Sequence, residues 1–262
     1  MKITILGCGA SAGVPMIGGS DGSGDWGQCD PAEPKNRRTR SSIVVESESG
    51  QRLLVDASPD LRNQLIDNRI PGVDAILFTH AHADHIAGID DVRLLNRIAK
   101  RPLDAFGMQV TLEEVSRRFG YAFSPWKPPH FYRPVLVGRP VEPGDTLAVA
   151  GHSVRVFRQN HGKIDSLGLR VGAFGYSTDV VALDEAAFDV LKGVDTWIVD
   201  CFLRGESHWT HANLETVLDW VERLRPRRTI LTHMGTTMDW AWMATNLPAG
   251  IEAGFDGMVL EV

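Results

Sequence analysis

Cysteine is scarce in this chain. Its three residues, Cys8, Cys29 and Cys201, are far apart and odd in number, so no disulfide framework is implied. A surplus of positive charge is also missing: 27 Lys and Arg stand against 33 Asp and Glu, a formal net charge of −6. That balance argues against broad binding of nucleic-acid phosphates. It leaves a small anionic substrate open, because a bound metal can be the largest positive charge in a site. Long apolar runs are absent too. The opening run Met1-Lys2-Ile3-Thr4-Ile5-Leu6 breaks at Gly7, too short for a signal-peptide core or a membrane span. These absences predict a cytoplasmic protein with no membrane partner. With no internal repeat, low-complexity tail or long linker, residues 1–262 are expected to form one domain.

Short β-rich runs recur at Ile3–Leu6, Ser42–Val45, Leu53–Val55, Ala75–Thr79, Val154–Phe157, Trp197–Val199, Thr229–Thr232 and Met258–Val262, most flanked by Gly, Pro or Asp. Helical patterns fall at Pro59–Asn68, Asp90–Ala99, Leu112–Phe119, Asp184–Lys192 and Asn213–Arg223. Strands come in groups with helices between some of them, which predicts mixed sheets covered by helices rather than a strict parallel βαβα sheet. The least regular stretches are Gly18–Arg40 and Ser124–Pro134. Gly7-Cys8-Gly9-Ala10-Ser11-Ala12 fits a dinucleotide-binding pattern after a strand. That mechanism requires a helix to open at once, yet Gly13, Pro15, Gly18 and Gly19 follow. A tight turn is expected instead.

The strongest signal is Thr79-His80-Ala81-His82-Ala83-Asp84-His85, at the end of an apolar strand. Four ligand-type side chains this close are costly to bury without partners. In an extended segment His80 and His82 share a face. A turn into a helix would bring Asp84 and His85 to the same point, so one segment could serve two metals. His161, Asp179 and His233 also follow strand-like runs. Each is weak evidence alone, but strand ends converge on one rim of a sheet.

The set His80-x-His82-x-Asp84-His85 with His161, Asp179 and His233 resembles the signature of the metallo-β-lactamase fold, and the resemblance covers nearly the whole chain. It implies an α/β architecture, an αββα sandwich of two mixed β-sheets flanked by helices. It implies that His80, His82 and His161 bind one divalent metal ion, that Asp84, His85 and His233 bind a second, and that Asp179 bridges them. Gly7-x-Gly9 and Leu54-Val55-Asp56-Ala57 are further landmarks, with Asp56 expected to support a histidine ring. Flavo-diiron oxygen reductases of similar fold usually carry a carboxylate where His82 stands, so histidine there favours hydrolysis. Imidazole-rich sites suit zinc, and hard bridging oxygens also admit manganese or iron.

Two adjacent metals can hold a hydroxide between them and clamp a substrate oxygen. A phosphodiester leaving group then needs a proton. Thr210 is a candidate N-cap that would set His211 on the exposed first turn of the following helix. By residue type alone His211 is a solvated histidine. Phosphodiesterases of the superfamily carry a histidine at a similar position, which implies that His211 is the general acid and, beside Asp84, a catalytic residue; His208 is a weaker candidate. Gly13-Val14-Pro15, the stretch Asn36–Ser42, His211-x-Asn213-Leu214 and Phe255-Asp256-Gly257-Met258 are similar to the PhnP-type phosphoribosyl cyclic phosphodiesterases. The resemblance implies small, cyclic phosphodiesters or 2′,3′-cyclic nucleotides as substrates, and dimers among relatives. Lys35, Arg37, Arg38 and Arg40 could donate to phosphate, although a charge run is usually a solvated face.

Relatives of this type also carry a structural zinc held by clustered cysteines and a late histidine. Here only Cys29 occupies the matching stretch and Thr236 the late position. One cysteine cannot close a tetrahedral site, so no structural zinc is expected. Rival readings are a tRNA 3′-processing nuclease, disfavoured by the missing basic arm and by the net charge of −6, an acyl or thioester hydrolase of the same fold, and a non-catalytic metal-dependent binding protein.

Overall fold

Side-chain alternation along the first strands sets up a layered molecule, seen in a computed structural model that describes residues 1–262. In β1 (Lys2–Gly7) Ile3 and Ile5 face one way and Leu6 the other. β2 (Ser42–Glu46) divides Ile43 and Val45 from Val44, and β3 (Arg52–Val55) divides Leu53 and Val55 from Leu54. β4 (Ala75–Leu77) divides Ala75 and Leu77 from Ile76. The first group of each strand joins a core shared with a second sheet, and the other packs under helices. A strand buried on both faces needs apolar residues at consecutive positions, which is what these short runs provide.

β5 (Leu103–Gly107) and β6 (Leu136–Pro140) extend the first sheet. The second sheet holds β7 (Thr146–Val149), β8 (His152–His161), β9 (Ile164–Val171), β10 (Phe174–Ser177), β11 (Thr196–Asp200), β12 (Arg228–Thr232) and β13 (Ile251–Ala253). Finally β14 (Val259–Glu261) returns to pair with β1. The orders are β14-β1-β2-β3-β4-β5-β6 and β13-β12-β11-β10-β9-β8-β7. Both sheets are mixed in the same way, with one antiparallel part and a run of parallel neighbours, β3 to β6 and β10 to β13. The expected αββα arrangement is therefore present.

The helices are α1 (Leu61–Asp67), α2 (Ala83–Ile86), α3 (Val92–Ala99), α4 (Gln109–Arg118), α5 (Gly120–Phe123), α6 (Glu185–Leu191), α7 (Leu214–Leu224) and α8 (Trp240–Asn246). α1, α3 and α4 cover the first sheet through Leu61, Leu65, Val92, Leu95, Leu112 and Val115. α6 and α7 bring Leu191, Val217 and Trp220 to the second. No helix is long and apolar enough to cross a membrane.

Three details revise the sequence reading. The cap of α7 is Asn213, not Thr210: its Oδ1 accepts from the Thr216 backbone N–H at 3.0 Å and from the Thr216 hydroxyl at 2.7 Å. His211 consequently lies in the loop before the helix and is largely enclosed rather than on an exposed first turn. Five strands, β5, β6, β7, β9 and β13, were not expected. β6 and β7 are mostly exposed, so apolar alternation does not mark them.

The tight turn after β1 is as expected. A Cβ on Gly7 would stand 2.2 Å from the Arg40 carbonyl oxygen, an approach that only glycine permits. Asp256 fixes this turn from the far end of the chain, accepting from the Cys8 N–H (3.0 Å) and from the Thr39 N–H (2.7 Å) and hydroxyl (2.6 Å). Burial pushes its carboxyl up to about 6 despite these donors. The folded state therefore holds a proton that the unfolded chain releases near 3.8, and its stability must fall as pH rises through that window. In denaturant titrations the wild type should lose on the order of 2 kcal/mol relative to Asp256→Asn between about pH 4 and 6.5. Parallel curves would contradict the assignment.

Candidate metal centre

The donors gather at the carboxyl ends of the parallel strands, where open α/β sheets place their ligands. Beyond β4 the chain runs extended through His80 to His82, which sits at the N-terminal boundary of α2. The single turn of α2 then carries Asp84 and His85 back to the same point. His161 ends β8, Asp179 follows β10 and His233 follows β12. Asp56, Asp179 and His233 adopt left-handed backbone, with φ of 64°, 52° and 54°. Such turns cost of order 1–3 kcal/mol each and gather at functional sites. Here each one lies just past the end of a strand.

All seven expected donors come together. His80, His82, His161 and Asp179 form one set, and Asp84, His85, Asp179 and His233 another, the donor atoms of each lying within 4.8 Å of one another. Asp179 belongs to both and splits its oxygens between them. Its Oδ2 is 3.6 Å from His80 Nε2 and 3.5 Å from His161 Nε2, while its Oδ1 is 3.1 Å from His85 Nε2 and 3.4 Å from His233 Nε2. Asp84 Oδ2 stands 3.2 Å from His85 Nε2 and 3.7 Å from His233 Nε2.

The rings are held from behind. His85 Nδ1 bonds Asp56 Oδ2 at 2.7 Å, His80 Nδ1 faces the Thr79 hydroxyl at 3.0 Å, and His161 Nδ1 donates to the Thr210 carbonyl at 2.8 Å. Asp56, fully buried, also accepts from the Thr79 N–H and hydroxyl, each at 2.8 Å. The Nε2 atoms of His80, His85 and His233 are buried with no hydrogen-bond partner. Orphaned imidazole nitrogens aimed at shared carboxylate oxygens are costly unless something positive sits between them. The donor set therefore fits divalent cations.

Charge is divided unevenly between the sets. Burial drives His80, His82 and His161 down, towards the neutral form. Burial opposes the charged forms of His85 and His233 as well, but Asp179 and Asp84 outweigh it. His85 is held well above its ordinary range and His233 is pushed up to about 9. For Asp84 and Asp179 burial is outweighed by the neighbouring histidines, and both carboxyls are held below the usual range.

His211 stacks on His233, with ring centroids 4.5 Å apart, and meets His161 edge-on at 4.8 Å. Its Nδ1 bonds Asp200 Oδ2 at 2.8 Å, and the same oxygen accepts from the Val180 N–H at 2.9 Å. Asp200, fully buried at the end of β11, was missed in the sequence. Its only signal there is an acidic residue closing an apolar strand. His208 joins neither donor set; its Nδ1 accepts from the Thr210 hydroxyl at 3.0 Å, behind His211.

The basic cluster is dispersed. Arg38 is buried, donating to the Met238 carbonyl at 2.6 Å and to Asn36 Oδ1 at 3.1 Å. Lys35 lies over Trp240 and Arg37 over Trp26. Only Arg40, paired with Asp60 at 3.0 Å, borders a cleft beside the centre. Cys29 and Thr236 are neighbours, the thiol donating to the Thr236 carbonyl at 3.4 Å.

Residues 51–234 match the beta-lactamase superfamily domain. The chain belongs to the metallo-β-lactamase superfamily. A crystal structure described as a new diphosphatase from the PhnP family is 30% identical, with a TM-score of 0.87 over 100% of this chain and 97% of that one. Zinc-bound PqqB from Methylobacterium extorquens shares the superfamily fold at 20% identity, with a TM-score of 0.78 over 100% of both chains. An octanoyltransferase of Porphyromonas gingivalis is 29% identical over 259 residues, 98% of this chain and 51% of that protein. This superfamily member thus spans about half the length of the curated relatives it matches first.

Because Asp56 orients both the His85 ring and Thr79, Asp56→Asn should leave the fold intact and weaken metal binding by about 10–100-fold, the usual cost of losing such a partner. Competition with a chelator measures this; an unchanged affinity would make Asp56 purely architectural.

Proposed function

We propose that this protein is a metal-dependent phosphodiesterase acting on small phosphodiesters, with His211 as the proton donor. The observation that carries the reading is the buried Asp200–His211 pair set against His161 and His233. A metal centre alone suits many hydrolyses; a fixed imidazole beside it suits a reaction whose leaving oxygen must be protonated. Resemblance to PhnP-type enzymes points to cyclic phosphodiesters, including 2′,3′-cyclic nucleotides, as the first candidates.

In this reading His80, His82 and His161 would hold one cation and Asp84, His85 and His233 the other, with Asp179 common to both sets. When bound, divalent cations supply an acidified water near neutral pH and a Lewis-acid grip on a substrate oxygen. The protein's own groups do the rest. Asp200 takes the Nδ1 proton of His211 in a hydrogen bond, which fixes the ring and leaves Nε2 to deliver a proton. As the ester P–O bond breaks, that proton goes to the departing oxygen and the products are a monoester and a hydroxyl group. Asp200 holds the ring by its Nδ1 and so acts as a positioning residue. Asp84 serves as a ligand whose carboxylate is kept ionised by His85 and His233.

The name of the octanoyltransferase relative raises an acyl-transfer alternative. A cysteine nucleophile does not support it here. Cys8, Cys29 and Cys201 are all buried, and burial pushes each thiol up, away from the reactive thiolate.

Metal-loaded protein, prepared with zinc or with manganese, should hydrolyse bis(p-nitrophenyl) phosphate and 2′,3′-cyclic nucleotides and leave octanoyl thioesters untouched. Turnover of the thioester alone would overturn the proposal. His211→Ala should keep its metal content while kcat drops by about 10²–10⁴. Asp200→Asn should lower kcat with little change in KM. A chelator should abolish turnover and resupplied metal should restore it.

A further inference from the structure

Two clefts that share no lining residue open on the metal centre. One, of about 530 Å³, has His80 and His82 at its floor, Met108 and Val110 on one wall and Ile164 on the other, with Lys163 at the rim. The second, of about 630 Å³, reaches Asp84 and is walled by Ala12, Pro15, Met16 and Ile17, with Arg40 beside them. Each falls within the roughly 300–1,000 Å³ of small-molecule sites. The first therefore meets the donor set of His80 and His82, and the second meets the set of Asp84.

Both carry apolar side chains left in solvent, which folding alone does not explain: Val110 is 65% exposed, Ile164 39% and Ile17 fully exposed. Most of the charges in them are paired. Lys163, at the turn between β8 and β9, is bound by no carboxylate, and its ammonium lies 6.0 Å from the centre of the Trp209 ring. Asp165, at the same rim, leans to Arg158 at 3.8 Å, and Arg118 is held by Glu114 at 2.6 Å. Arg40 is neutralised by Asp60 at 3.0 Å. One free cation and two apolar walls suit organic groups better than a chain of phosphates.

Resting on the phosphodiesterase reading, we infer that among small phosphodiesters the site favours an open, two-armed diester over a cyclic one, with the phosphoryl group between the two donor sets and one organic group in each cleft. A cyclic phosphate, whose two ester oxygens belong to one ring, would fill a single cleft and leave the other to solvent. Hydrolysis breaks one ester P–O bond, water supplies the new one, and a monoester and an alcohol leave by separate clefts.

Zinc- or manganese-loaded protein is assayed on thymidine 5′-(p-nitrophenyl) phosphate, with an organic group on each side, and on 2′,3′-cyclic AMP. The two-armed diester should show the higher kcat/KM. Val110→Trp and Ala12→Trp fill one cleft each from exposed positions. Each should lower kcat/KM on the two-armed diester by about tenfold or more, with metal content and melting temperature unchanged, while only one of them affects the cyclic ester. Turnover of the cyclic ester with the two-armed diester indifferent to either variant would overturn the two-arm inference alone. No turnover of any phosphodiester would overturn the phosphodiesterase reading and this inference with it.

Discussion

The centre depends on one buried carboxylate, Asp179, which gives one oxygen to His80 and His161 and the other to His85 and His233. An ionised carboxylate this deep is expensive unless positive charge surrounds it. His85 and His233 answer that need, their imidazoles pushed against burial towards the charged form by Asp179 and Asp84. Burial pushes His80, His82 and His161 the other way, towards the neutral form. The two halves of the centre are therefore electrostatically unequal although they share Asp179.

Supporting groups extend this constraint outward. Asp56 and Asp200 are both fully buried, both end or follow parallel strands, and each fixes the Nδ1 of a histidine. One serves a ligand and the other the proposed proton donor. The same local device, a carboxylate at the mouth of a sheet, thus steadies a candidate metal ligand on one side and the proposed proton donor on the other.

Much of this was legible in the sequence because some of it is local. His80, His82, Asp84 and His85 lie within six residues, and their convergence needs only an extended segment followed by one helical turn. His161, Asp179 and His233 could be proposed because each follows an apolar strand. Asp200 follows one equally well, but an aspartate there looks like an ordinary strand-ending residue until its partner His211 is seen in space. The Thr210 cap was misplaced because the irregular loop from Cys201 to Asn213 has no period, and Thr210 instead spends its carbonyl on His161. Arg38 belonged to a charged run that read as solvated, yet its guanidinium is buried and donates to the distant Gly235 and Met238 carbonyls, which no local pattern reveals. The edge strands escaped for the opposite reason: they are exposed and carry no apolar rhythm.

Each donor set draws on both sheets. His80, His82, Asp84 and His85 come from the first, and His161, Asp179 and His233 from the second, with the exposed Pro143-Gly144 turn between them in the chain. Neither half alone retains a complete donor set. A chain cut at that turn would yield two fragments, each with most of a sheet and its helices, and β14 of the later fragment would still have to seat on β1 of the earlier one. Metal capture would then serve as a reporter of fragment complementation.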